Sequence, residues 1–403
     1  MKMREIGVGA ISLWLCVGLT TGMRAAGRPP APRSTPAKRG GHVPPSPELA
    51  RLRANTWVHV RPSRNPAGRS YSGICYGGGL IFYFGGGHHS YPGNDVELYD
   101  VAGNTWTQAT EPESWRDAHK WTHITDADKE VVKGIGGGWG VPVLSPKGRP
   151  LTEHTYQMHT WFPQEKAFYS SLTSGLWAFD PAKREWSKQC DRKGTPRGRD
   201  IHTWNLAYDP DLKTLVSIVV AGPARGVFVF DRHKRTWSRR CAVPVSSWTE
   251  VYSTYDSARK RHVVFGGRRW WTLDLGAGKT RFIRPLEAAV QAARRSGKPP
   301  QLRSVSIEYD PQSRRTLVVI KGRDAELWAY DPDRDGWSAV EMAGRAPAGT
   351  VAWDLLVYAP QYRCFLFLNV VGVQGALADG LFAFRYAPSQ IAKQGQASED
   401  TGQ

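Results

Sequence analysis

Nine polar side chains and three aromatics have the types and spacing to bind a ligand or move a proton: Arg69, Tyr71, His88, His89, Trp121, Trp139, Glu153, His154, Arg199, Asp200, His202 and Glu250. Carboxylate beside imidazole, as in Glu153-His154 and in Asp200 with His202, is the pairing that general acid–base chemistry needs. His154 and His202, with His88-His89 nearby, are also the residue type that holds Cu, Zn or Fe. Neither HxH nor HExxH spacing occurs, so neither a metal nor a cofactor is assigned. Most of these residues stand in short phrases just ahead of an apolar alternating run: Arg69-Ser70-Tyr71, Glu153-His154-Thr155-Tyr156, Arg199-Asp200-Ile201-His202 and Glu250-Val251-Tyr252. Whether they meet depends on the elements that carry those runs.

Those elements repeat. An alternating strand ends in an aromatic-Asp turn, and a Trp follows about six residues later: Leu98-Tyr99-Asp100 to Trp106, Ala178-Phe179-Asp180 to Trp186, Val229-Phe230-Asp231 to Trp237, and Ala329-Tyr330-Asp331 to Trp337. A weaker copy runs from Thr272-Leu273-Asp274 to Phe282. Upstream of each lies another strand pair around turns such as Tyr208-Asp209-Pro210 and Tyr309-Asp310-Pro311, so each unit has four short strands. From Trp186 onward the anchors stand 51, 45 and 55 residues apart, whereas Trp106 to Trp186 is 80, which implies an insertion over 110–150. The last unit supplies three strands and no Trp strand. Asn55-Thr56-Trp57-Val58-His59 repeats the pattern of Asn104-Thr105-Trp106-Thr107-Gln108, so the first strand is expected to complete the last blade. Closing the ring removes exposed sheet edges and gives an all-β, six-bladed propeller.

The phrases Phe84-Gly85-Gly86-Gly87, Leu98-Tyr99-Asp100 and Asn104-Thr105-Trp106 resemble the kelch repeat of the galactose-oxidase-like β-propellers, and Gly266-Gly267 echoes the glycine pair in the fourth blade. The resemblance implies a kelch-like ring over 51–388, and it extends to scaffolds, binding proteins and sugar-active enzymes alike, including the kelch-type sialic acid mutarotases. The copper radical oxidases of that superfamily use a Tyr joined to a Cys, a second Tyr and two His at the axis. Cys75 is the one cysteine near the inner strands of the first blade, and the other elements do not align.

In a four-stranded meander the loops between strands two and three share a face with the crossovers to the next blade. That face is expected to gather His88, His89 and the phrases ahead of each innermost strand, with the insertion and its Trp121 and Trp139 arching over it. The Asp-Pro turns at 180, 209, 310 and 331 fall on the opposite face, where Pro and Asp serve turn chemistry and no site is expected. The tryptophans are expected to cover the seams between blades. Pro285, a run of helix formers and then Gly297 and Pro299 mark a surface helix within 285–300.

Residues 1–26 carry Lys2 and Arg4 ahead of an apolar run and small residues, which reads as a secretory signal; an uncleaved anchor is the competing reading. Residues 27–50 are a Pro-rich spacer, and 389–403 a polar tail without apolar periodicity. The net charge is +18, or +16 once three basic residues and one acidic residue leave with the leader. Such a surface draws anionic polymers, such as acidic polysaccharide, envelope phosphate or extracellular nucleic acid, although no specific nucleic-acid module is visible. Cys75, Cys190, Cys241 and Cys364 form an even set in an exported chain, and either a Cys75–Cys364 bond across the ring closure or buried thiols fit. The expectation is an exported protein, whether periplasmic, cell-surface or secreted, that binds a glycan or protein at the insertion-bearing face. Membrane contact would come only through an uncleaved leader. The alternative is a carbohydrate-active epimerase of the mutarotase kind.

Overall fold

The hairpin turns are built by one device used seven times. Asp100, Asp180, Asp209, Asp231, Asp256, Asp310 and Asp331 each end a strand, and one carboxylate accepts the backbone N–H groups two and three residues on. The structure, a computed structural model, describes residues 49, 51–86, 91–114, 144–198, 203–294, 302, 305–320, 325–348, 355–371 and 376–388.

Each turn joins two strands of one blade, and the strands form six sheets. After β1 (Thr56–Val60), the first blade is β2 (Ser72–Gly77), β3 (Leu80–Gly85), β4 (Glu97–Asp100) and β5 (Thr105–Gln108). The second is β6 (His159–Phe162), β7 (Ala167–Leu172), β8 (Gly175–Asp180) and β9 (Glu185–Asp191). The third is β10 (Trp204–Asp209), β11 (Thr214–Val219), β12 (Gly226–Asp231) and β13 (Thr236–Cys241). The fourth is β14 (Val251–Asp256), β15 (Arg261–Gly266), β16 (Arg269–Asp274) and β17 (Lys279–Phe282). The fifth is β18 (Val305–Asp310), β19 (Arg315–Ile320), β20 (Glu326–Asp331) and β21 (Gly336–Ala339). The sixth holds β22 (Ala343–Gly344), β23 (Leu356–Ala359), β24 (Cys364–Val371) and β25 (Ala376–Phe384), with β1 inserted between β22 and β25.

Each innermost strand touches the next around the ring, from β2 through β6, β10, β14, β18 and β23 back to β2. Trp57 on β1 pairs with Phe384 and fills the outer part of the sixth blade. Asn55 fastens the closure by exchanging side-chain hydrogen bonds with the Ala387 backbone, at 2.6 and 2.9 Å. Leu49, placed in the spacer by sequence, is buried in the same core and its carbonyl meets Arg385.

The blade tryptophans cover seams as expected. Trp186 lies 5.1 Å from Phe84 of the first blade, and Trp337 4.7 Å from Trp270 of the fourth. The helix within 285–300 forms as α1 (Leu286–Arg294), but it is no mere surface addition, because Leu286 and Val290 are fully buried against Trp270 and Ile307. Cys75, Cys190, Cys241 and Cys364 are free thiols, and burial pushes Cys364 up to about 12. Among the described residues no helix is long and apolar enough to cross a membrane. The leader, most of the spacer, the tail and the middle of the insertion lie outside the described residues.

Candidate functional site

The loop mouth of the channel is assembled where the second blade begins. Residues 153–156 dock across the first blade: Gly86 N–H donates to the Glu153 carbonyl, Thr155 N–H to the Tyr71 carbonyl and Thr155 Oγ1 to the Phe84 carbonyl. Two glycines permit this approach. A Cβ on Gly73 would stand 1.6 Å from the Tyr156 carbonyl oxygen, and one on Gly85 2.1 Å from Thr155 Oγ1.

The docked segment brings Tyr71, His154 and Tyr156 together. The Tyr71 ring stacks on His154 with centroids 4.2 Å apart, and Tyr156 Oη lies 3.3 Å from His154 Nδ1. Both tyrosines sit in the left-handed region, at φ 62° and 33°. Every other described non-glycine residue at positive φ is Asn, Asp, Lys or Arg immediately ahead of a strand; Tyr71 shares that place, just ahead of β2, and Tyr156 lies in a turn three residues before β6, so it is the bulk of the two rings that is unusual. A bulky residue there costs about 1–3 kcal/mol, so two adjacent ones mark a place where packing overrides backbone preference.

Glu153 is buried in the same segment, with Oε1 accepting Thr173 N–H at 2.6 Å. Burial raises it to about 7, against the opposing pull of the Thr173 bonds and the Arg197 and Arg192 charges. Arg69 is fully buried and does not reach the axis. It turns back into its own blade, pairing with Asp95 at 2.8 Å, while Tyr91 lies under its guanidinium at 4.3 Å. Glu250 and Trp248 lie on the crossover between β13 and β14, at the same mouth. Trp248 is 56% exposed, and sequence reasoning missed it because it belongs to no repeat phrase. The feet of the insertion are clasped by Glu113, which accepts Ser145 Oγ at 2.6 Å and Arg149 Nε at 2.8 Å. His88, His89, Trp121, Trp139, Arg199, Asp200 and His202 lie outside the described residues. Among the described residues, no three of His, Cys, Asp and Glu converge as a metal site would require.

The opposite mouth holds a cavity that the sequence reading did not describe. A cavity of about 440 Å³ runs along the axis and reaches the β-turns after the innermost strands, the face expected to carry no site. One repeat position lines it six times: Tyr76, Trp161, Tyr208, Tyr255, Tyr309 and Tyr358. The described contacts of the first four lean on the blade before. Tyr255 donates to Asp211 at 2.8 Å, Tyr208 accepts from Gln164 at 2.6 Å, Tyr76 bonds Gln361, and Trp161 packs over Gly77.

Deeper in, inner-strand side chains that line the cavity also join neighbouring blades. Asn205 Nδ2 donates to Ser253 Oγ at 2.6 Å, and Thr254 Oγ1 donates to Glu308 Oε1 at 2.8 Å. Burial raises Glu308 to about 7, although Thr254 and the Tyr309 and Tyr358 backbones favour its ionised form. His159 is held down to about 4 by burial, with its Nε2 3.1 Å from the Phe84 carbonyl.

The first blade agrees with a known motif. Residues 68–113, which span β2 to β5, match the Kelch motif. The chain is therefore a six-bladed β-propeller with a Kelch motif in its first blade. No curated protein matches it. Among solved structures, TolB from Acinetobacter baumannii is similar at a TM-score of 0.41 and 13% identity, over 71% of this chain and 57% of that one.

Proposed function

We propose that the protein is an exported binding module whose loop mouth takes a glycan or protein ligand. The observation that carries this reading is the Tyr71–His154–Tyr156 stack, in which both tyrosines hold positive φ. Tyr71 is partly exposed, whereas His154 and Tyr156 are buried at 7% and 2% exposure, so a ligand would meet the Tyr71 ring while the two residues behind it fix its orientation. Trp248, exposed on the β13–β14 crossover, offers a second aromatic side chain on that face, and the strongly positive charge favours acidic glycans over neutral ones.

A glycan array containing both kinds tests this, with wild type beside Tyr71→Asn and His154→Ala. Asparagine tolerates the left-handed backbone, so the first variant removes the ring without new strain. Both variants should lose at least tenfold in signal on the glycans that wild type retains. Equal binding by all three proteins would retire the site.

The enzyme reading has one observation in its favour: the Glu153 carboxyl is poised near neutrality, where a general acid or base works best. Anomer exchange of a sialic acid followed by NMR, with Glu153→Gln as control, separates the two. A rate accelerated by wild type and abolished in the variant would make the protein a mutarotase rather than a binder.

A further inference from the structure

The axial cavity at the turn mouth carries a site of its own, independent of the loop mouth. Its walls are unusual for so basic a protein, because neither Lys nor Arg lines it and Glu308 is its one carboxylate. The nearby carboxylates already have partners: Asp209 with His262 at 3.2 Å, Asp256 with Arg259 at 3.2 Å, and Asp211 with Lys260 at 3.8 Å. Glu308 has no ion pair among the described residues. It is held only by Thr254 Oγ1 and the Tyr309 N–H at 2.8 Å each, together with the Tyr358 backbone.

Six aromatic side chains surround the same space. Aromatic walls around one acidic group are the chemistry that stabilises a desolvated cation: each ring attracts it through its quadrupole, and the carboxylate supplies the counter-charge. An anion would meet no positive side chain, and an apolar ligand would leave Glu308, Asn205 and Ser253 to be desolvated without return.

We propose that this axial cavity is a binding site for a small organic ammonium ion, which sits among the aromatic side chains with its charge against Glu308. Binding requires the ionised carboxylate. When the site is occupied below neutrality, the carboxyl O–H bond breaks, its electron pair stays on Glu308 and the proton leaves to solvent.

The groups facing Glu308 do not blur this titration. Thr254 on β14 and Tyr358 on β23 bear no charge near neutrality, and burial holds Tyr358 up at about 12. His159 on β6 stays neutral down to about 4, and His262 on β15 is turned to Asp209. Asp256, at the end of β14, is paired with Arg259.

Calorimetric titration of the full chain with choline chloride tests the proposal, with 3,3-dimethyl-1-butanol as the uncharged isostere. Choline should bind at pH 8, the isostere at least tenfold more weakly, and Glu308→Gln should lose at least tenfold for choline. In wild type the affinity should fall about tenfold for each pH unit below 7. Should Glu308→Gln fail to fold, titrations of wild type at pH 6 in two buffers of different ionisation enthalpy read the released proton directly. No choline binding, equal binding of the isostere, a pH-independent affinity or an unaffected folded Glu308→Gln would each overturn the proposal. Tyr71→Asn should leave choline binding unchanged, so failure here and failure at the loop mouth are separate results.

Discussion

The two mouths of one channel are built on opposite plans. At the turn mouth a single repeat position is used six times, and small contacts between neighbouring blades are spread around the ring. At the loop mouth the described contacts follow no repeat. One buried ion pair, Arg69–Asp95, and one docked segment, 153–156, hold the described part in place. Distributed contacts tolerate the loss of any one, whereas a concentrated knot does not. Repetition gives the turn mouth a defined cavity, and irregularity gives the loop mouth freedom to specialise.

The sharpest way to break this contrast is to remove the knot. Arg69→Met should destabilise the protein by about 3–5 kcal/mol, because Asp95 is left buried without its partner. Urea unfolding reads the loss, and a loss below about 1 kcal/mol would mean that the loop mouth is as distributed as its opposite. Adding Asp95→Asn should recover part of the stability, since the orphaned charge rather than the missing bond accounts for most of the cost.

A second comparison uses one carboxyl from each mouth. Glu153 and Glu308 are both raised from 4.5 to about 7 by burial, so the folded state binds more protons than the unfolded between those values. Each contribution to stability is therefore fully present below about pH 4.5 and is lost as pH rises through about 7. The full swing is roughly 3 kcal/mol per group. His159 works in the opposite direction, since its lowered value adds stability above 6.5 that is lost as pH falls toward 4. Differences between wild type and each Gln variant cancel that background. Unfolding midpoints at pH 5 and pH 8 should shift less in Glu153→Gln and Glu308→Gln than in wild type, and equal shifts would show that the two carboxyls titrate normally.

Regularity also decided what could be read from sequence. The aromatic-Asp turns, the tryptophan anchors and the Asn55–His59 echo all have periods, and the ring with its β1 closure followed from them. The loop mouth was legible only as a set of residue types. Tyr71 and His154 do stack, but their contact depends on Gly73 and Gly85 admitting a neighbouring segment, and that fit has no period. Arg69 shared the same position in the repeat yet turned away, because Asp95 lies in a loop whose course no pattern encodes. The cavity at the turn mouth was not legible for the opposite reason. Three of its aromatics, Tyr208, Tyr255 and Tyr309, stand beside an Asp that turn chemistry explains, and the other three, Tyr76, Trp161 and Tyr358, have no such marker. Glu308 gave no signal at all, being one acidic residue within an alternating strand.

The smallest effects test how evenly the turn mouth is shared. Tyr255→Phe removes one exposed hydrogen bond to Asp211, so the loss should be about 0.5–1.5 kcal/mol. A larger loss would reveal a knot there too.

Tyr358→Phe takes the comparison to its limit. The Tyr358 hydroxyl is buried and makes no hydrogen bond among the described residues, so its removal should leave stability unchanged within about 0.5 kcal/mol or raise it slightly. The phenyl ring stays in the cavity wall, and choline titration of this variant should match wild type. A stability loss above 1 kcal/mol in urea would show that the sixth aromatic is latched as firmly as Tyr255. Unchanged stability with weakened choline binding would shift the recognition from the aromatic face to the hydroxyl, and the turn mouth would then depend on one polar contact, as the loop mouth does.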